Sequence, residues 1–539
     1  MQLTTLEDPL PDTLPALDLE FDDEVFFGRD VPWLLRYRAR HSADDEFLVW
    51  VPRDGAERRW TYGEFWADVR RTAKGLSERG VQLGDRVIVH SDNCPEMMLA
   101  WYACATIGAI AVTTNTRTMG TELTYFAEHS GAIGAVTQPH LADELKAHTP
   151  TLGWYIVIGE DFDELLTHGD DPVERQADPL LPAGIQYTSG TTARPKAVIH
   201  THANFLWASR TGSDNLRLTA ADAYLTNMPL FHTHAQAWNT WPMIWAGGRV
   251  VLQPKFSAST FWDVVLRHDV TVTSLQAFSH HALQSQPVPE HSLRLISHGA
   301  RLPAIEKRYG APTFSAYGMT ETVSHVLRRD LTIDTPEGSI GTVTPGYQIA
   351  VIDENGNRAA PGVIGDLYVR GTRGVQLALG YFNNPEANAK AYTADGWFHT
   401  GDRVLLDDEG YVYFADRDKD VLRVGGENVS AKQVEQVVML AAGPDQLHSV
   451  AVVASPHRML DEVPVVFVKR LPGATLSEDE IRERIREAAA TDLADFKRPR
   501  AVYFVDEMPT GLLDKIDKVR LRKRAAEHAP PEGLALPRA

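Results

Sequence analysis

Between Arg86 and Tyr317, short β-branched runs alternate with stretches of helix length, and this alternation limits the possible folds more than any other feature. RVIVH (86–90), AIAVTT (109–114), YIVIG (155–159), GRVVLQP (248–254) and VTVTSLQ (270–276) read as strands. Segments 95–107, 257–268 and 303–309 lie between them and read as helices. Such alternation builds mainly parallel α/β sheets, because each helix carries the chain back to begin the next strand. Past Gly341 the texture turns to hairpin signals. QIAVIDENGNRAAPG contains Asn355-Gly356, a favoured two-residue turn, and GDLYVRG and GYVYFADR read as further strands. A smaller β-rich subdomain without a long helix is expected over about 341–418.

From about Lys419 the pattern is that of a separate α+β unit, so 1–418 and 419–539 are expected as a large and a small domain. Ser430-x-x-Gln433 and Ser477-x-x-Glu480 are capping-box patterns that begin helices. SVAVVAS (449–455), VPVVFVKR (463–470) and AVYFV (501–505) read as strands. The Pro-rich end, from about 528, is expected to be disordered. A length of 539 residues, 43% hydrophobic and 23% charged, supplies cores for two or more units.

A net charge of −19 argues against nucleic acid or an anionic membrane as partner, since both demand a basic face. An anionic ligand can still bind in a local positive pocket. Cys94 and Cys104 are the two cysteines, too few for a disulfide scaffold, and they suit a reducing compartment. The N-terminal residues carry no basic stretch followed by an apolar run, and Met97–Val112 is too short to span a bilayer comfortably. That segment reads as a buried helix with its following strand, and the cytoplasm is the expected address.

The chemistry concentrates in YTSGTTARPKAV, from Tyr187 to Val198. An apolar strand ends in small hydroxylated residues and then a lysine. Small residues let backbone N–H groups approach phosphate oxygens, while the hydroxyls of Thr188, Ser189, Thr191 and Thr192 add donors and Lys196 adds a charge. The Walker spacing GxxxxGK[ST] is absent. His232, His234, His280 and His281 lack the cysteine or carboxylate company of a zinc site.

The full string resembles the phosphate-binding motif of the adenylate-forming superfamily, which includes acyl-CoA synthetases, peptide-synthetase adenylation domains and firefly-type luciferases. It matches at Thr188, Ser189, Gly190, Thr191, Thr192, Pro195 and Lys196, and departs at Ala193 and Ala197, where glycine is usual. Six further motifs follow in family order. In PLFHTH (229–234), the resemblance makes His232 a gate to the carboxylate site. In SHGARLP (297–303), Gly299, Ala300 and Arg301 would flank adenine. YGMTE (317–321) would stack Tyr317 on adenine, with Gly318 and Met319 lining the nucleotide, Thr320 on the α-phosphate and Glu321 on Mg²⁺. WFHTGD (397–402) would supply Asp402 to the ribose hydroxyls, and Arg417 would be a second ribose contact. Lys419 would be the hinge. MPTGLLDKIDK (508–518) would supply Lys515, the catalytic lysine, here preceded by Asp514 instead of glycine.

The resemblance, closest to crotonobetaine/carnitine-CoA ligase relatives, implies a large domain of two α/β sheets plus the β-rich subdomain, and a small mobile C-terminal lid. It implies ATP, Mg²⁺ and CoA as ligands, and leaves a homodimer open. A small carboxylic acid would be activated as its adenylate. Rotation about Lys419 would then withdraw Lys515 and present the Gly425-Gly426 loop for passage of the CoA thiol. The acid would lie among His234, Gln236, Phe278 and His298, a polar and aromatic set without the apolar tunnel of a fatty-acid site. An alternative within the same subgroup is a diazotase, which activates nitrite for attack by an arylamine.

Overall fold

The computed structural model describes residues 26–169, 175–188, 194–417, 421–443, 446–509 and 516–527. Ser189, Gly190, Thr191, Thr192, Lys419, Lys515 and the end from 528 lie outside the described residues.

Two large sheets form the body. One has seven strands in the order Gly380–Tyr381, Lys196–Thr201, Pro182–Thr188, Ile110–Thr113, Arg86–His90, Gly134–Thr137 and Trp154–Val157. The last five run parallel to one another. The nine-stranded sheet has a parallel centre that includes Ala223–Thr226, Arg249–Leu252, Val272–Ser274, Leu295–His298 and Thr313–Tyr317. Its edges are antiparallel. The mainly parallel expectation therefore holds for the centres of both sheets. The exceptions have a geometric cause. Pro182–Thr188 and Lys196–Thr201 are joined by only seven residues, too few for a crossover helix, so they pair antiparallel.

Helices Pro95–Ile107 and Pro303–Tyr309 have the expected bounds. The first places proline at its start, ends on Gly108 at φ +86°, and is buried at every position. It packs between the sheets, with its Trp101 against Phe205 and Trp241. Cys94 and Cys104 are buried there, and burial pushes both thiols up to about 12. Among the described residues no helix is long and apolar enough to cross a membrane.

Past Gly341, strands Gln348–Ile352, Ile364–Arg370, Trp397–Leu406 and Val412–Arg417 form an antiparallel sheet of four. Asn355-Gly356 does sit in a turn, with Gly356 at φ +79°. The turn is wider than the two-residue form, because the Asp353 carboxylate accepts from the N–H groups of both Asn355 and Asn357 (2.9 Å each). Residues 421–527 carry a five-stranded sheet and their own buried clusters around Val434, Ile485 and Phe467. Ser477 and Glu480 form the full capping box. Ser430 also caps its helix, but Gln433 turns its side-chain oxygen to the Lys497 ammonium (3.1 Å) instead of back to the cap.

Candidate active site

A cleft of ≈ 1330 Å³ opens where the C-terminal ends of both large sheets meet the four-stranded sheet and the small unit. Thr188 and Lys196 face each other across the antiparallel pair, with the Thr188 hydroxyl donating to the Lys196 carbonyl (3.4 Å). The Lys196 ammonium lies 4.7 Å from the centre of the Tyr381 ring. Tyr381 in turn donates its hydroxyl to Glu321 Oε1 (2.7 Å). Burial, then the neighbouring Glu321 charge, push this phenol well above its ordinary value, so it stays a donor. His200 Nε2 meets the Thr320 carbonyl (2.8 Å) and holds the backbone that carries Glu321. Strand Thr313–Tyr317 thus delivers Tyr317, Thr320 and Glu321 to the cleft wall from one strand end.

Asp402 lies on strand Trp397–Leu406, opposite Arg417 in register. Its carboxylate accepts from the Tyr317 hydroxyl (2.7 Å), and both residues are buried. Gly299, Ala300, Gly318 and Met319 also line the cleft. Arg301 does not. Its guanidinium is spent on Asp334 (3.0 Å), Glu306 (3.7 Å) and the Thr335 carbonyl, so any nucleotide contact there belongs to the backbone.

At the other end the chain from His234 to Thr240 forms a π-helix, a winding often found at functional sites. It brings His234 and Trp238 to the wall beside Gln276, Ser297 and His298. Gln236, expected in the pocket, instead donates its amide to the Leu230 carbonyl and is buried behind the wall. The extra residue per turn of a π-helix shifts which side chains face the cleft, a displacement the sequence pattern does not carry. For Phe278 the structure describes the backbone, in helix Ala277–Leu283.

The small unit reaches into the same cleft. Gly426, at φ +89°, and Arg423 line it, with Gly425 at φ +58° one residue back in the turn. Glu427 Oε2 bonds to His232 Nε2 (2.9 Å) and accepts from Asn115 (3.1 Å). Burial raises the Glu427 carboxyl, but His232, Arg117 and Lys497 together outweigh it and hold the group below the ordinary carboxylate range. A second contact between the units is the buried pair Lys497–Glu122, with both carboxylate oxygens within 3.0 Å of the ammonium.

Tyr381, Glu427 and Arg423 were not singled out from the sequence, although Arg423 and Glu427 flank the recognised glycine pair. Mg²⁺ takes one or two protein carboxylates and fills its other positions with phosphate oxygens and water. Glu321, oriented by Tyr381 beside the Thr188–Lys196 pair, fits that donor set.

A two-sheet α/β body in which the Thr188–Lys196 strand pair, two tyrosine-held carboxylates and a turn of a second unit share one cleft has the layout of a nucleotide-dependent activating enzyme. Residues 35–382 match the family model described as AMP-binding enzyme, and 433–511 match the AMP-binding enzyme C-terminal domain. The chain belongs to the AMP-binding enzyme family. It is 33% identical over 503 residues, covering 88% of this chain and 95% of the relative, to a crotonobetaine/carnitine–CoA ligase of Proteus mirabilis. An o-succinylbenzoate CoA synthetase double mutant from Bacillus subtilis, bound with a CoA product analogue, aligns with TM-score 0.79 and 28% identity, covering 90% and 97% of the two chains. The Bacillus subtilis o-succinylbenzoate synthetase in complex with AMP aligns at 0.65 and 27% identity, covering 91% and 97%. The chain is accordingly an AMP-forming acid–CoA ligase.

Proposed function

We propose that this enzyme activates a small polar or aromatic carboxylic acid with ATP and Mg²⁺ and transfers the acyl group to CoA. The observation that carries the reading is the convergence, in one cleft, of Thr188 and Lys196, Glu321, Asp402 and the Gly426 turn of the small unit.

A carboxylate is a poor acylating agent because its leaving group would be oxide. Attack of one carboxylate oxygen on the α-phosphorus of ATP forms a mixed anhydride with AMP and breaks the bond to the β-phosphate, releasing pyrophosphate. Such a transition state gains mostly from positioning and from stabilising charge on phosphate oxygens. Lys196 and the Thr188 hydroxyl meet the departing phosphates, and Asp402 takes the ribose hydroxyls. Bound Mg²⁺ on Glu321 would neutralise phosphate charge. Lys515, by resemblance, bridges carboxylate and α-phosphate. In the second step the CoA thiol attacks the acyl carbon, and AMP leaves.

The small unit stands in an arrangement suited to that second step. Its Gly426 turn is at the cleft, fixed by the Glu427–His232 and Lys497–Glu122 contacts. The higher TM-score to the Bacillus subtilis synthetase with a CoA product analogue, 0.79 against 0.65 with AMP, supports the same assignment. Nitrite activation gains no support from these observations.

The test is pyrophosphate release dependent on a carboxylic acid, with a CoA thioester identified by mass spectrometry. Nitrite supporting release with an arylamine, while carboxylates do nothing, would refute the ligase reading. Lys515→Ala is expected to abolish adenylation while sparing thioester formation from a supplied adenylate. Loss of both half-reactions together would contradict the two-position scheme.

A further inference from the structure

One helix, Thr121–Ser130, grips the phosphate motif from the side. Its residues Tyr125, Phe126 and His129 are three to four positions apart pairwise about His129, so their side chains stand together on the helix surface. Phe126 stacks on Tyr187, the residue before Thr188, with ring centres 4.1 Å apart. His129 Nδ1 lies 3.0 Å from the Tyr187 hydroxyl. These contacts hold the outgoing strand just before it reaches the cleft. Tyr125 holds the returning strand, because its hydroxyl donates to the Pro195 carbonyl (3.0 Å). Pro195 is buried, and a backbone carbonyl taken out of water needs a donor. The next carbonyl, that of Lys196, accepts from Thr188. The chain that presents the Lys196 ammonium is therefore bonded at two successive residues.

Tyr125 also seats a charge. The Arg194 guanidinium, exposed on the cleft wall, stands 5.1 Å from the centre of the Tyr125 ring. Lys196 stands in the same way over Tyr381. Both cations at this end of the motif thus lie on tyrosine faces, and an aromatic face attracts a cation without cancelling its charge. Burial raises the Tyr125 phenol against the lowering effect of Arg194, so the hydroxyl stays protonated and remains a donor. His129 is lowered by burial and next by Arg194, which leaves its ring uncharged near neutral pH.

We propose that Tyr125 is a positioning residue for the pyrophosphate end of ATP, its hydroxyl fixing the returning limb of the phosphate motif and its ring seating Arg194 as a second cation, beside Lys196, for the β- and γ-phosphates. This rests on the ligase reading, which gives neither Tyr125 nor Arg194 a part. Charge gathers on the departing pyrophosphate as the bond to the α-phosphorus breaks, and cations already held in place stabilise it without reorganising. AMP lacks those two phosphates, so its binding does not draw on Tyr125 or Arg194.

The test compares Mg²⁺–ATP with AMP by titration calorimetry on the full chain. Tyr125→Phe removes the hydroxyl and keeps the ring, and is expected to weaken ATP about three- to tenfold and AMP by less than about twofold. Tyr125→Leu removes the seat as well, and a selective loss of about tenfold or more is expected. Arg194→Gln is expected to weaken ATP about tenfold, again with AMP little changed. In ATP–pyrophosphate exchange the KM for pyrophosphate should rise in step, while thioester formation from a supplied adenylate keeps its rate. ATP and AMP weakened equally in Tyr125→Phe would mean that the residue only supports the fold, and would overturn the proposal, as would an unchanged ATP affinity. Unchanged ATP binding in Arg194→Gln would overturn the part given to Arg194. Failure of the underlying ligase reading has a different signature, since no carboxylic acid would then release pyrophosphate from the unaltered enzyme, whatever the variants do to ATP binding.

Discussion

Single hydrogen bonds set the orientation of the two carboxylates proposed to meet the nucleotide and its metal. Glu321 and Asp402 are each held by a tyrosine hydroxyl at 2.7 Å, from Tyr381 and Tyr317 respectively. A bond to a charged group is worth about 1.5–3 kcal/mol. Tyr381→Phe keeps the ring under Lys196 but removes the donor, and is expected to slow pyrophosphate release about ten- to a hundredfold. It should also raise the Mg²⁺ concentration needed for half-maximal rate. ATP–pyrophosphate exchange measured across an Mg²⁺ titration checks both, and wild-type rates at every Mg²⁺ concentration would count against the role given to Tyr381. Glu321 was legible from YGMTE, but its partner lies 60 residues further on, in a strand of the other sheet. No local pattern links them.

Elements decide which face of each motif is used. A seven-residue connection forces Pro182–Thr188 and Lys196–Thr201 into an antiparallel pair, which sets Thr188 against Lys196. The π-helix His234–Thr240 turns Gln236 inward and His234 outward. Between the units, Lys497 and Glu122 are 7% and 10% exposed, so the pair holds one relative position of the two and would have to part in the proposed rotation of the small unit. Breaking a buried pair by removing one partner costs about 3–5 kcal/mol. Lys497→Met is therefore expected to slow thioester formation from a supplied adenylate by about tenfold or more, while acid-dependent pyrophosphate release changes little. Single-turnover kinetics of the two half-reactions separate these effects. Equal slowing of both would mean the pair serves general stability.

The whole molecule stores uncharged imidazole in its interior. Burial is the leading cause for each: His90, His200 and His234 come down to about 4, His325 to about 3, and His202 well below its usual range. Both ring nitrogens of His325 are buried with no hydrogen-bond partner among the described residues. Such a group binds a proton near pH 6.5 when unfolded but only near 3–4 when folded. Between those limits the unfolded chain holds more protons, so stability rises with pH and is lost as pH falls below about 6.5. Each histidine contributes up to about 1.4 kcal/mol per pH unit in that window. Apparent Tm is expected to be nearly level above pH 7 and to drop steeply between pH 6.5 and 5. His325→Phe should shallow the slope by about one proton. A flat profile through that range would refute the account.

By itself the sequence determined the layered α/β class, most strand and helix positions, and the family to which the chain belongs. These depend on periodicity and on short motifs, which are local. Tertiary structure alone decided how the Glu321 and Asp402 carboxylates are oriented, which side of His234–Thr240 faces the cleft, that Arg423 of the small unit lines it, and that Glu427 meets His232. Those outcomes depend on contacts between residues tens to hundreds of positions apart. Burial and hydrogen bonding fix them only after both units have packed.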